Sequence, residues 1–271
     1  MGPDYAWTLA PGALLSVAVA GAVYGSRWRA VRKHERRGAP ALRLVAFVAG
    51  LAVALVALVS PVDRLAEQLF VMHMVQHILL LDLVPILCIL GFTRILLRPA
   101  TRRVQAVERA LGPLAHPAAA VVLYVAVIWL WHVPALYDAT IRNDVAHVAE
   151  HLSFSLVGGL YWWHVLSPIR SRHRLRGIGP LAYMWSAKVG VGFLGVLLTF
   201  SPDVLYDVYA GKPDPWGMTP LTDQNVGGGL MAIEQAIVMG IALGWLFVRM
   251  LNESEAEDRR AERYEEDAEA V

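Results

Sequence analysis

Apolar residues fall in blocks of about twenty, the length at which a helix crosses a bilayer, and polar residues gather between the blocks. Seven blocks can be read, at 7–26, 42–60, 69–91, 117–135, 147–166, 179–201 and 229–250. The expected fold is all-α, a polytopic membrane protein built as a seven-transmembrane helical bundle. One membrane domain, 1–251, precedes an acidic, helix-prone tail, 252–271. No Lys or Arg precedes the first block and a basic run follows it, the reverse of a signal peptide, so it reads as an uncleaved span.

The polar connections alternate in charge. Arg27, Arg29, Arg32, Lys33, Arg36, Arg37 and Arg43 follow the first block; Arg94, Arg98, Arg102, Arg103 and Arg109 follow the third; Arg170, Arg172, Arg174 and Arg176 follow the fifth. These are sixteen of the 24 Lys and Arg. The intervening connections hold only Arg64, Arg142 and Lys212. Basic loops stay on the cytoplasmic side, so the N-terminus is expected outside and the C-terminus in the cytoplasm of a prokaryotic plasma membrane. The loop after Arg94 has room for an interfacial helix.

Composition agrees. Of 271 residues, 56% are hydrophobic and 17% charged, too apolar for an ordinary soluble domain. The net charge of +1 says nothing about partners. The single cysteine, Cys88, excludes an intrachain disulfide and any CxxC site; it reads as a packing residue.

Against this apolar background one device occurs twice. His73-Met74-Val75-Gln76-His77 opens the third block and His147-Val148-Ala149-Glu150-His151 the fifth. Residues four apart on a helix lie about 40° apart on one face and about 6 Å along it, so each pair could grip one metal ion. His132 ends the fourth block at the same level, so five of nine histidines gather near one membrane face. Ionisable groups within a membrane are costly and mark function. The bland alternatives are real: a lone interfacial His bonds backbone or water, Trp129 and Trp131 serve as belt anchors, and methionines pack. Gln76 and Glu150 lie close enough to their pairs to fix ring tautomers by hydrogen bonds. Imidazole suits several metals, and thioethers near it (Met72, Met74, and Met231 and Met239 in a stripe with Gln235) favour Cu(I). Glu234 is a stronger candidate neighbour of the site than Met231. Deeper in the membrane, Asp82 and Lys188 fall at equal depth and are expected to pair.

Three segments in order resemble a known family. Met72-His73-Met74-Val75-Gln76-His77 with Leu79 to Asp82, Trp131-His132-Val133-Pro134-Ala135-Leu136-Tyr137, and His147 through Phe154 are similar to the H-M-x-Q-H, W-H-x-P-x-x-Y and H-x-x-E-H-x-x-F stretches of the CtaG-like cytochrome c oxidase assembly factors. The resemblance implies a non-enzymatic membrane factor for maturing a haem–copper oxidase. Carried over, His73, His77, His132, His147 and His151 would be its metal-handling positions, copper its cargo, and oxidase subunits and the lipid bilayer its partners, with no nucleic acid. Copper would pass by ligand exchange near the outer face.

Three other readings compete. Facing histidines on two helices can ligate haem, although that needs only one His per helix. His147 to His151 matches the H-x-x-E-H of metalloproteases, in which Glu would activate a zinc-bound water, but Gln76 replaces Glu in the other pair. A copper or cation transporter would need a polar path inward, and only Asp82, Lys188 and Glu234 offer one.

Overall fold

The computed structural model describes residues 2–169, 171–173, 175, 177–211 and 215–269. Arg170, Arg174, Arg176 and Lys212 lie outside the described residues, as do the side chains of Arg249, Arg260 and Arg263. Among the described residues the only regular structure is helical: α1 (Pro11–His34), α2 (Ala41–Val59), α3 (Pro61–Ala66), α4 (Phe70–Ile78), α5 (Val84–Leu90), α6 (Arg98–Leu111), α7 (Pro117–Trp131), α8 (Pro134–Arg142), α9 (Asp144–Leu166), α10 (Gly179–Thr199) and α11 (Pro220–Glu269).

Four helical stretches, Arg36–Val59, Phe70–Leu90, Gly179–Thr199 and Pro220–Asn252, are long and apolar enough to cross a membrane. Arg98–Ala115 and Pro117–Trp131, bent by 72°, make a fifth if taken together. At 24 and 23 residues, α1 and α9 have spanning length but fall short of the same apolar standard. Large apolar side chains face outward along the rods, among them Leu15 and Val23 of α1, Leu152 and Leu156 of α9 and Ile233, Ile237 and Ile241 of α11. An outward apolar surface of that extent suits lipid.

The third block is the axis. It packs on α2, α9 and α11, while α11, α10, α7 and α9 close a ring beside it and α1 stacks outside α2. This rod is interrupted: a π-helical turn, Leu79–Leu83, joins α4 to α5. Pro85 accounts for the interruption, because it has no N–H to return to the Leu81 carbonyl. Gly158 of α9 lies against that carbonyl, and a Cβ there would sit 2.0 Å from the Leu81 oxygen. The π register also carries Cys88 toward α2, where a Cβ on Gly50 would meet its Sγ at 2.7 Å.

Close packing recurs between α10 and α11. Cβ atoms on Gly195 and Gly228 would strike the facing backbone at 2.8 Å and 2.6 Å, the small-residue contact that lets membrane helices approach. Gly190 does the same less closely against Val125.

Several connections differ from the sequence reading. The connection 136–146 is mostly the helix α8, started by Pro134 at its N-terminus, where a missing N–H costs nothing. α11 begins at 220, nine residues earlier than expected, so the preceding loop is shorter than the sequence reading made it. Its Tyr206, Val208 and Tyr209 are buried in the main core, against Phe70 and Tyr137. The 251/252 boundary falls inside α11, which runs on into the tail. Trp129 and Trp131 tie helices together: Trp129 Nε1 donates to the Gly190 carbonyl (3.0 Å) and Trp131 Nε1 to Ser153 Oγ (2.8 Å).

The two ends of the bundle differ. At one, Arg27 donates to the Ile95 and Leu96 carbonyls and Arg43 to the Leu90 carbonyl, so basic side chains close the ends of α1, α2 and α5. α6, a basic amphipathic helix with no buried residue, lies at that end. His73, His77, His132, His147 and His151 lie at the other.

Candidate metal centre

α4 presents its histidines inward because its N-terminus is fixed from another helix. Asp223 of α11 accepts hydrogen bonds from the Phe70 and Val71 backbone N–H groups at 2.6 Å and 2.9 Å. These would otherwise be unpaired donors at a buried helix start, and a carboxylate suits the positive end of the helix dipole. On α9 the Asn143 side chain caps the start by accepting from Val145 and Ala146. Both anchors sit within a turn or two of a histidine pair.

His73, His77, Glu150 and His151 are buried, and His147 is half-buried. The rings crowd together, with centroids 4.2 Å apart for His73 and His77, 4.1 Å for His147 and His151, 5.5 Å for His73 and His147 and 6.1 Å for His77 and His151. Glu150 stands between them. Its Oε2 lies 3.3 Å from His73 Nε2 and its Oε1 3.4 Å from His77 Nε2. Glu150 therefore sits in the cluster itself, where the sequence reading made it a supporting neighbour.

Eight buried polar atoms in this cluster have no hydrogen-bond partner: both ring nitrogens of His73 and of His77, Nε2 of His147 and of His151, and both carboxylate oxygens of Glu150. A buried polar atom left unpaired costs about 1–3 kcal/mol, so these atoms call for a partner, water or an ion. The 3.3–3.4 Å contacts exceed a charge-assisted hydrogen bond of about 2.7–2.9 Å. They match the separation of two ligands on one metal, about 3.3–3.6 Å for bonds of about 2.0–2.1 Å in tetrahedral or trigonal geometry.

Two donor sets have all their atoms within 4.8 Å of one another: His73, His147 and Glu150; and His77, His151 and Glu150. Each takes one histidine from each helix. Sharing therefore runs across the helix pair, whereas the sequence spacing suggested two histidines of one helix on one ion. His132 is buried beside the cluster but belongs to neither set. Its ring is 6.0 Å from that of His77. His132 Nδ1 is 2.7 Å from the Ile128 carbonyl, which can only accept, so Nδ1 carries the proton. In the neutral ring Nε2 is then a lone pair, and it faces Met74 Sδ at 3.5 Å.

The other candidates fall elsewhere. Gln76 Nε2 donates to the Ala57 carbonyl (2.7 Å) and Asp63 Oδ1 (2.8 Å), bracing α2 and α3 against α4. Met231 is in the main apolar core. Glu234 lies beside the buried charge pair Asp82 and Lys188, and Gln235 donates to it. Asp82, on the π turn, accepts from Lys188 Nζ (2.7 Å), Trp162 Nε1 (2.6 Å) and the Tyr124 hydroxyl (2.9 Å). Tyr124 and Trp162 carried no polar signal in the sequence beyond being a tyrosine and a tryptophan inside apolar blocks.

Fold and site thus define an all-helical membrane protein with a buried His–Glu cluster at one end of its bundle. The chain belongs to the family described as cytochrome c oxidase caa3 assembly factor (Caa3_CtaG), which it matches over residues 22–253. It is similar to uncharacterized proteins of Mycobacterium bovis and Mycobacterium tuberculosis, each 27% identical over 222 residues, covering 76% of this chain and 33% of theirs. One from Mycobacterium leprae is 24% identical over 212 residues, covering 70% and 31%. The chain spans about a third of the length of these curated relatives. No solved structure matches it.

Proposed function

We propose that this assembly factor binds copper in the His73/His77/His147/His151/Glu150 cluster and passes it to a subunit of a cytochrome c oxidase docked at the same end. The eight unpaired buried donor atoms carry this reading. Imidazole with one carboxylate suits several metals, and the Met74 thioether facing the lone pair of His132 favours copper, as Cu(I), over zinc. Half-exposed His147, in the first turn of α9, is the entry. The chain makes and breaks only metal–ligand bonds and catalyses no covalent step. Seven rods, α1, α2, α4–α5, α7, α9, α10 and α11, cross a prokaryotic plasma membrane, with the N-terminus and the histidines outside and the basic loops and tail in the cytoplasm.

The competing readings fit less well. For haem, the Glu150 carboxylate lies where the ring would pass between facing imidazoles. For a metalloprotease, Glu150 reaches the histidines of the other helix as a ligand would, and a base would instead stand clear of the metal.

The test is metal content with a visible spectrum on detergent-purified protein, beside the His73→Ala/His77→Ala variant, together with oxidase activity in cells carrying each. Copper in the wild type, lost in the variant along with oxidase maturation and without a Soret band, is expected. A Soret band, or no copper after Cu(I) loading, overturns the copper reading.

A further inference from the structure

Granted the metal binding proposed above, we propose that the cluster is a two-ion centre in which Glu150 bridges. His73, His147 and Glu150 Oε2 would hold one ion, and His77, His151 and Glu150 Oε1 the other.

The first ground is the pairing of donors. The four histidines do not converge on one point. They form two sets, each with one residue from α4 and one from α9. Within each helix the two members are four residues apart, so the sets lie at successive levels about 6 Å apart along the axis, with same-helix ring centroids 4.2 Å and 4.1 Å apart, yet neither set takes both histidines of one helix.

The second ground is the carboxylate. Glu150 presents a different oxygen to each level, Oε2 to His73 at 3.3 Å and Oε1 to His77 at 3.4 Å. Both distances are ligand–ligand edges. A carboxylate spanning two ions in this way is a recurrent means of holding them about 3.5–4 Å apart.

The third ground is what one ion would leave behind. Filling the upper set alone leaves His77, His151 and Glu150 Oε1 as buried atoms without partners, and filling the lower set alone strands His73 and His147. Filling both leaves only one ring nitrogen each of His73 and of His77 without a partner.

Charge selects the ion. Two monovalent cations with one carboxylate and neutral imidazoles sum to +1, and two divalent cations to +3. In a buried site the smaller charge is far less costly. Three donors per ion also suit the low coordination numbers of Cu(I). The cargo is therefore a pair of Cu(I) ions, loaded through the half-exposed His147.

The experiment uses the full chain in detergent, loaded with Cu(I) under reductant and washed against a Cu(I) chelator. Copper per chain is counted, and X-ray absorption reads metal–metal scattering. The wild type should hold two coppers with a copper–copper vector. His147→Gln and His151→Gln should each hold one and lose the vector, and Glu150→Gln should lose the vector too. One copper in the wild type, abolished by either His147→Gln or His151→Gln, overturns the two-ion centre and leaves the copper reading standing. Two coppers unchanged in both histidine variants place the metal elsewhere and overturn the two-ion centre. No copper at all overturns both readings. Wild-type stoichiometry and scattering decide the matter even if a variant fails to fold.

Discussion

Lys188 places an ammonium group inside the bundle, 2% exposed, with its Nζ 2.7 Å from Asp82 Oδ2 and 3.0 Å from the Tyr124 hydroxyl. Removing one member of a buried pair strands the other and costs about 3–5 kcal/mol, more than the pair contributes against neutral replacements. Lys188→Met should therefore lower the melting temperature in detergent more than the double change Asp82→Asn/Lys188→Met does. A double loss equal to the sum of the two single losses would mean that the two side chains are energetically independent. Exchanging the residues should restore little, because Trp162 and Tyr124 both aim hydrogen-bond donors at position 82. Equal depth on two blocks sufficed to put Asp82 and Lys188 at one level, and in the structure they meet. Depth counting misplaced Glu234, counted as a neighbour of the histidines, because it gives height along a helix but not azimuth. Nor did it reveal that Glu150 reaches both histidines of the facing helix, since spacing says which residues share a face and not what that face meets.

The helices are held in register by close backbone approaches, and these make sharp element-level contrasts. Gly158 rests against the Leu81 carbonyl, to which Pro85 has no N–H to return. Gly158→Ala should push α9 off the π turn and cost about 1–3 kcal/mol by overpacking. It should also weaken metal retention, because Glu150 and His151 both lie about two turns away on the same helix. Its neighbour Gly159 has open space where a Cβ would go, with nothing within 4 Å, so Gly159→Ala should melt at or above the wild-type temperature. If the two alanine variants melt alike, the Gly158 contact carries no weight. Asp223 makes a second contrast. Asp223→Ala removes both acceptors from the start of α4 and should cost about 1–3 kcal/mol. Asp223→Asn, which keeps one acceptor oxygen, should lose less, and a melt of the two variants reads the order. Apolar block lengths placed the ends of α2, α7, α9 and α10 within a few residues, since those ends are marked by Pro, Ser or charge. They did not disclose the π turn, because Pro85 announces a kink without saying how the backbone absorbs it. α8 was also hidden, its short polar sequence reading as a loop until Pro134 and its contact with α9 are seen together.

At the scale of the molecule, chemistry is segregated: the His–Glu cluster and the buried Tyr137, Tyr206 and Tyr209 lie at one end, and arginine-bearing loops with α6 at the other. Direction across the membrane decides where the cargo enters. Basic loops are retained in the cytoplasm, so the histidine end should face out and draw copper from outside the cell. Cys88 is the only cysteine, so a Cys88→Ser background lets single cysteines report sidedness. Tyr5 and Val145, 57% and 77% exposed, mark the histidine end, and Val107, 58% exposed, marks the basic end. In intact cells a membrane-impermeant maleimide should label Tyr5→Cys and Val145→Cys, and it should reach Val107→Cys only after permeabilisation. The opposite pattern would turn the bundle over. The cluster would then open to the cytoplasm through His147, and copper would have to reach the oxidase from inside, against the charge distribution of every basic loop.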